Sequence, residues 1–257
     1  MKGFLQEYGA IMVVVAVVLG MLAFGKTGYA KSIQNAILGS ANHIVETGEN
    51  ITKKEVNVTA GDTLDIEGNK YIVLEKQGNY QALVMTVNSI GGKAFQPSAR
   101  SDGQNQNTYE GSEIDNYLEN NWYNSFPEKV KSAIQVTTIK QSSYATYNDT
   151  NSKQETGFKG QVYNTISRHV FLPSVSEIGK VVDLKSPDKV KAFLNGISIW
   201  TRDSSQGLPD CVKYLNADYG SLYNSGVYGS YPRGVRPAFV IDLSKIDYTE
   251  AGHVDYK

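Results

Sequence analysis

Seventeen uncharged residues, Gly9–Gly25 (GAIMVVVAVVLGMLAFG), follow the pair Glu7-Tyr8 and constrain this chain more than any other stretch. The run approaches the ~20 residues with which a helix crosses a hydrocarbon core. A carboxylate at its mouth is costly unless something neutralises it, so Glu7 asks for a partner. Helical spacing continues past the run. Tyr29, Ile33, Ile37, Ala41, Ile44 and Val45 recur every three to four residues, with Lys31, Gln34, Asn35 and Asn42 between them. Gly48 supplies a stop. One long helix is therefore expected over about residues 4–47, apolar all round in its first half and one-faced in its second. This suits a helix that packs first among its copies and then against its own domain. A single-pass anchor with Glu7 in the headgroup region stays open beside that reading, as does a cleaved secretory signal. The expected division is residues 1–49 for the helix and 50–257 for a globular domain.

Composition limits the chemistry of the remainder. A net charge of −1, with 25 basic and 26 acidic residues, leaves no footprint for nucleic acid. Cys211 is the one cysteine, which excludes an internal disulfide or a Cys-based zinc site. His43, His169 and His253 are scattered, so neither a metal cluster nor a cofactor is expected. No Gly-x-Ser-x-Gly elbow, phosphate loop or calcium loop is present. No catalytic residue is assigned, and the expectation is a protein that is not an enzyme.

From Gly61 the texture is that of strands. Residues 63–77 alternate polar and apolar side chains, and Gly78-Asn79 separates them from Tyr80–Val87, a hairpin signal. Residues 92–111 read as a polar surface loop. Ser112 and Asp115 predict a helix start, with Ile114, Tyr117, Leu118 and Trp122 as its apolar stripe. Pro127 opens a second helix over 128–134, and residues 140–160 read as loop. A short strand at 170–174, helices at 175–182 and 187–194, a strand at 197–200 and a closing strand at 236–243 complete an α+β domain.

Two family resemblances rest on quoted residues. Lys2, Gly3 and Phe4, then Glu7-Tyr8 and a Val/Ala/Leu run, resemble the start of type IV pilin-like subunits, the Glu-Tyr pair being similar to that of the Tad branch. The resemblance covers residues 1–47. In that family a peptidase cuts after a Gly, and the freed amine of one subunit meets a neighbour's glutamate. It implies an assembly role for Phe4, Glu7 and Tyr8, a membrane-held precursor and a homo-oligomeric helical filament on the cell surface. A cut after Gly3 leaves Glu7 fourth, where the family has it fifth. The second resemblance covers about residues 60–245. The order YLENNWYNSF, VFLPSVSEI, IWTRD and GVRPAFVIDL is similar to a domain of gut Firmicutes surface proteins. That domain resembles the C-type lectin fold, shared with formylglycine-generating enzymes and with variable proteins of diversity-generating retroelements. The fold class this implies is a long hydrophobic helix followed by a C-type-lectin-like α+β domain. It places the 63–87 hairpin beside 236–243, and ligand loops between Trp200 and the closing strand. The enzyme branch relies on paired cysteines, which Cys211 alone does not provide, and the calcium-lectin motifs Glu-Pro-Asn and Trp-Asn-Asp are missing.

The candidate ligand face lies within residues 201–231. Tyr214, Tyr219, Tyr223, Tyr228 and Tyr231 are interleaved with Asn216, Asp218, Ser221, Asn224 and Ser230, and Asp203, Ser204, Ser205 and Gln206 follow the Trp200 strand. Tyrosine offers a rigid amphipathic face while Ser, Gly and Asn adapt their hydrogen bonds, as in an antibody paratope. The alternative is an edge whose tyrosines cover the domain's own core. The retroelement resemblance implies that Asn codons drift to Tyr, Ser, Asp and Gly, the types that fill this segment. Trp200 and Arg202 read as scaffold. Arg233 and Arg236 suit either structural hydrogen bonds or an acidic ligand. The surface ligand itself, protein or glycan, is not specified.

Overall fold

The computed structural model describes residues 55–144, 161–228 and 232–257. The expected helix over 4–47, with Phe4, Glu7 and Tyr8, lies outside the described residues, as do Ser230 and Tyr231. The chain divides into two units, Met1–Lys54 and Glu55–Lys257, and the second is described here. Among the described residues no helix is long and apolar enough to cross a membrane.

Three strands open the unit: β1 (Asp62–Ile66), β2 (Asn69–Gln77) and β3 (Gln81–Thr86). The β1–β2 turn is two residues long, with Glu67 at φ 51 and Gly68 at φ 78, the positive pair that matches strand twist in a tight hairpin. The Asp65 carboxylate accepts from the Gly68 amide at 2.9 Å and holds that turn. After the short β4 (Gly92–Lys93) comes α1 (Glu113–Asn116), where the Ser112 hydroxyl accepts from the Asp115 amide. The helix widens over Tyr117–Trp122 and tightens over Tyr123–Ser125. Then follow α2 (Glu128–Ala133), β5 (Ile134–Gln135), β6 (Thr137–Tyr144) and β7 (Gln161–Arg168). Next are α3 (Val175–Ile178), held by a reciprocal Ser174–Glu177 capping box, and α4 (Pro187–Leu194), with Pro at its first position. The chain finishes with β8 (Ile199–Ser205), β9 (Cys211–Asn216), β10 (Ser221–Gly226), β11 (Arg233–Gly234), β12 (Ala238–Asp242) and β13 (Thr249–His253).

These strands form two sheets. The first runs β13-β1-β2-β3-β12-β5, with β12 antiparallel to β3. The second runs β10-β9-β8-β11-β4, and β6 joins it parallel to the end of β8 while pairing with β7. The core includes Leu64, Val73, Val84, Met85 and Phe239 from the first sheet and Ile199, Trp200 and Leu215 from the second. Aromatic edges lock it: Trp200 meets Phe95 at 5.9 Å and 70°, and Trp122 meets Phe126 at 4.5 Å and 73°. Each such apolar side chain contributes about 1.5–3 kcal/mol by burial.

The expectation of a C-type-lectin-like α+β domain behind a long helix is corrected by this architecture. Strand accounts for 40 % of the described residues and helix for 17 %, and the helices are short, α4 having 8 residues. The domain is β-rich. The difference arises where polar stretches read as loop are in fact strands. β6, β9 and β10 carry Thr, Ser, Asn, Tyr and Lys, whose strand character comes from cross-strand pairing rather than from simple alternation. The expected strand at 170–174 is reduced to an isolated bridge from Phe171 to Ala238. The helix expected over 175–182 stops at Ile178, with Gly179 as its cap.

Candidate functional site

The tyrosine segment is a hairpin, not a set of loops. In the β9–β10 register Tyr214 stands opposite Tyr223, and β10 is the outermost strand on its path through the sheet. The Asn216 carboxamide oxygen accepts from the amides of Asp218 and Tyr219 at 2.8 and 3.1 Å, fixing the turn. Gly220 closes the turn at φ 65, and a Cβ there would lie 2.2 Å from the Pro187 carbonyl oxygen, so the turn sits hard against the start of α4. Tyr219 is thereby held out at 62 % exposure, stacked on Tyr223 at 5.3 Å and 28°. Tyr214 is buried beneath, its ring 6.1 Å from Trp200 and covered by the Arg233 guanidinium at 4.7 Å. Its hydroxyl accepts from the Asn216 carboxamide at 2.8 Å.

A polar groove of about 410 Å³ opens where β8 ends. Ser204, Ser205 and Gln206 line it together with Gln104, Asn107 and Tyr163. Asn107 builds its floor. Its carboxamide donates to the carbonyls of Ser205, Leu208 and Cys211 at 3.3, 2.7 and 2.9 Å, tying the 205–211 bend to a segment almost a hundred residues away.

Buried ionic groups lie along β8 and its neighbour β9. The Arg202 guanidinium forks onto the Glu177 carboxylate at 2.6 and 2.5 Å and donates to the carbonyls of Lys140 and Leu172, both at 2.8 Å. Burial works against the Glu177 charge, but the Arg202 guanidinium and the Ser174 contacts bring its pKa below the ordinary value. Asp203 is fully buried. One carboxylate oxygen accepts from the Val175 amide at 2.6 Å, and among the described residues the other has no hydrogen-bond partner. Burial raises its pKa to about 7, with Arg202 opposing and Glu177 adding to the rise. On β9 the Lys213 ammonium donates to the Asn224 carboxamide oxygen at 2.6 Å, which also accepts from the Ser205 hydroxyl at 2.8 Å. Burial lowers the Lys213 pKa to about 8 while Asp203 holds it up.

The structure therefore sorts the expected ligand residues into three groups. Asp218, Tyr219, Tyr223 and Tyr228 are exposed. Ser204, Ser205 and Gln206 meet at the groove, although Ser204 and Ser205 are themselves largely buried. Asp203, Tyr214, Asn216 and Ser221 are buried within the sheet, and Asn224 is half-buried in the Lys213 network. Trp200 and Arg202 are buried, as a scaffold role requires. Residue pattern carries no signal for Asn107, Tyr163 or Lys213, because topology alone brings residues 104–108 and β7 to the end of β8 and pairs β9, with the buried Lys213, beside it. Cys211 is half-buried, and burial followed by the neighbouring Asp210 carboxylate pushes its thiol up to about 11. It is protonated at neutral pH and unsuited to nucleophilic work. Among the described residues no group of His, Cys, Asp and Glu is arranged to hold a metal ion.

These features define a β-rich two-sheet domain with an aromatic edge, a polar groove and a buried ionic layer along the strands between. The chain belongs to the family described as "Domain of unknown function (DUF6273)", which matches residues 79–243 and so takes in the edge, the groove and the ionic layer. No curated protein and no solved structure matches it.

Proposed function

We propose that this chain is a surface-displayed binding subunit without a catalytic role. Residues 4–25 pack with their copies as the core of a pilus-like filament that starts from a membrane-held precursor. The Glu55–Lys257 unit recognises a surface ligand, protein or glycan, through the tyrosine edge. The observation that carries the recognition half is the stacked Tyr219–Tyr223 pair on an outer strand, with Tyr219 at 62 % exposure. Two large aromatics held rigidly in solvent lose little entropy on contact and concentrate binding energy. The display half is supported by the Gly9–Gly25 run and the Glu7-Tyr8 pair. A buried Glu7 partnership is better justified as a register device than as a source of stability. Repetition along a filament turns weak single-site contacts into avidity. Retroelement variation, if it acts on this segment, fits Asp218, Tyr219, Tyr223 and Tyr228 and not the buried Tyr214, Asn216 and Ser221.

The test uses the full chain expressed on its own cell surface. Tyr219→Ala combined with Tyr223→Ala is expected to lower binding to protein and glycan arrays at least tenfold, with urea midpoints little changed because both rings are exposed. Unchanged binding would sink the recognition half. Glu7→Ala is expected to abolish filaments seen by negative-stain imaging. A parent chain that never forms filaments, or a Glu7→Ala chain that forms them normally, leaves a single-pass anchored binding protein instead.

A further inference from the structure

Away from the tyrosine edge and the groove, Arg236 stands out as a buried cation with no anion. It is 4 % exposed, and among the described residues no acidic side chain pairs with it. Its Nε donates to the Thr86 carbonyl at 2.7 Å and one Nη to the Phe193 carbonyl at 3.1 Å. A guanidinium carries five N–H groups, so among the described residues three are left without an acceptor. The Phe193 ring covers one face of the group at 4.4 Å, which leaves the in-plane edge as its open side. Burial without counter-charge pushes the Arg236 pKa down to about 9, so the group still carries its charge at neutral pH.

Arg236 also lines a cavity of about 470 Å³. Its other walls are mostly apolar, with Phe193, Ile197 and Tyr256 prominent, while Asn88 and Ala192 are exposed residues of its lining. That volume falls in the range of small-molecule sites, which are concave, largely apolar and oriented by a few polar groups. One uncompensated positive charge matches one negative charge. A phosphate, with two charges, asks for a second cation, and among the described residues none lines the cavity, whose other polar side chains, Thr63, Asn88, Ser89 and Asn195, are neutral. A carboxylate fits the planar fork.

We propose that the Arg236 cavity is a binding site for a small monocarboxylate with an apolar body, the carboxylate engaging the free edge of the guanidinium and the body lying against Phe193, Ile197 and Tyr256. The site is separate from the tyrosine edge and does not depend on it.

The experiment titrates the full-length chain in detergent with a fluorinated N-acetylphenylalanine, followed by fluorine NMR, with its methyl ester as the neutral control. The acid is expected to bind saturably at millimolar or lower concentration, and the ester at least tenfold more weakly. Arg236→Lys is expected to weaken the acid about tenfold. Ala192→Glu, which puts an anion on an exposed wall residue without touching the core, is expected to weaken it several-fold and keeps the test valid if Arg236→Lys does not fold. Absence of saturable binding, equal binding of acid and ester, or unchanged acid binding in Ala192→Glu each overturns the proposal.

Discussion

Replacing Arg202 with Met is expected to destabilise the Glu55–Lys257 unit by about 3–5 kcal/mol, the cost of leaving one member of a buried ion pair without its partner. Arg202 is 2 % exposed and makes four hydrogen bonds, two to Glu177 and one each to the carbonyls of Lys140 and Leu172. Methionine fills much of the volume but supplies none of the donors. The Glu177 carboxylate would keep its Ser174 amide contact, 2.8 Å long, and little else. Three segments come apart at this point, because the guanidinium joins β6, the 170–174 stretch and α3 to β8. For a domain of this size each kcal/mol is worth about 2–4 °C, so the midpoint should fall on the order of 10 °C or more. A double-mutant cycle separates pairing from packing. Arg202→Met with Glu177→Met should be less destabilised than Arg202→Met alone, since the orphaned charge is then gone. A loss under about 1 kcal/mol in the single variant, by urea unfolding, would show that the pair contributes little.

The parts of the fold legible in the sequence are those where local chemistry and burial agree. The β2–β3 hairpin is marked by two apolar runs, Tyr71–Leu74 and Ala82–Met85, and turns at Gly78, which adopts φ 66. Pro187 starts α4 and Leu194 ends it. Ser112 caps α1 through the Asp115 amide. The closing strand is Ala238–Asp242, fully buried. Failures cluster where polar side chains are buried and satisfied internally. β8 is buried at every position, so Thr201, Asp203 and Ser205 give no outward polar face for a period of two to register. In β9 and β10, Lys213, Asn216 and Asn224 look solvent-facing by type but spend their hydrogen bonds within the hairpin and its neighbours. Residue types of this kind suggest loop, and the strands they form make the domain richer in β structure than its sequence pattern implies. At the candidate site, residue type singles out Tyr219 and Tyr223, which the fold leaves exposed. It could not tell them from Tyr214, which differs in facing Trp200 rather than solvent.

Asp203 gives the second large effect, and its sign is set by burial. The folded carboxyl titrates near 7, while an unfolded aspartate titrates near ~3.9. The native state therefore holds the proton more tightly than the unfolded state. Its contribution to stability is complete below about pH 4, falls as pH rises and is gone above about pH 7. A gap of about three pKa units corresponds to roughly 4 kcal/mol across that window. Asp203→Asn removes the titration while retaining an oxygen for the Val175 amide, now 2.6 Å away. The variant's stability relative to the parent is thus expected to climb between pH 4 and pH 8 by a few kcal/mol. The groups in the field of this carboxyl include Arg202, which lowers its pKa, Glu177, which raises it, and Lys213, whose own pKa Asp203 holds up. Arg202 and Glu177 stay ionised through most of the window, and Lys213, lowered to about 8, loses its charge only at the upper end, so the change between pH 4 and pH 7 belongs to Asp203. Urea unfolding of both proteins at half-unit pH steps is the measurement. Parallel stability curves would mean that Asp203 ionises normally in the fold. A relative gain confined to pH 4–7 would identify Asp203 as a carboxyl that is protonated in acid and ionises near neutrality, two residues from the Ser205 hydroxyl at the groove.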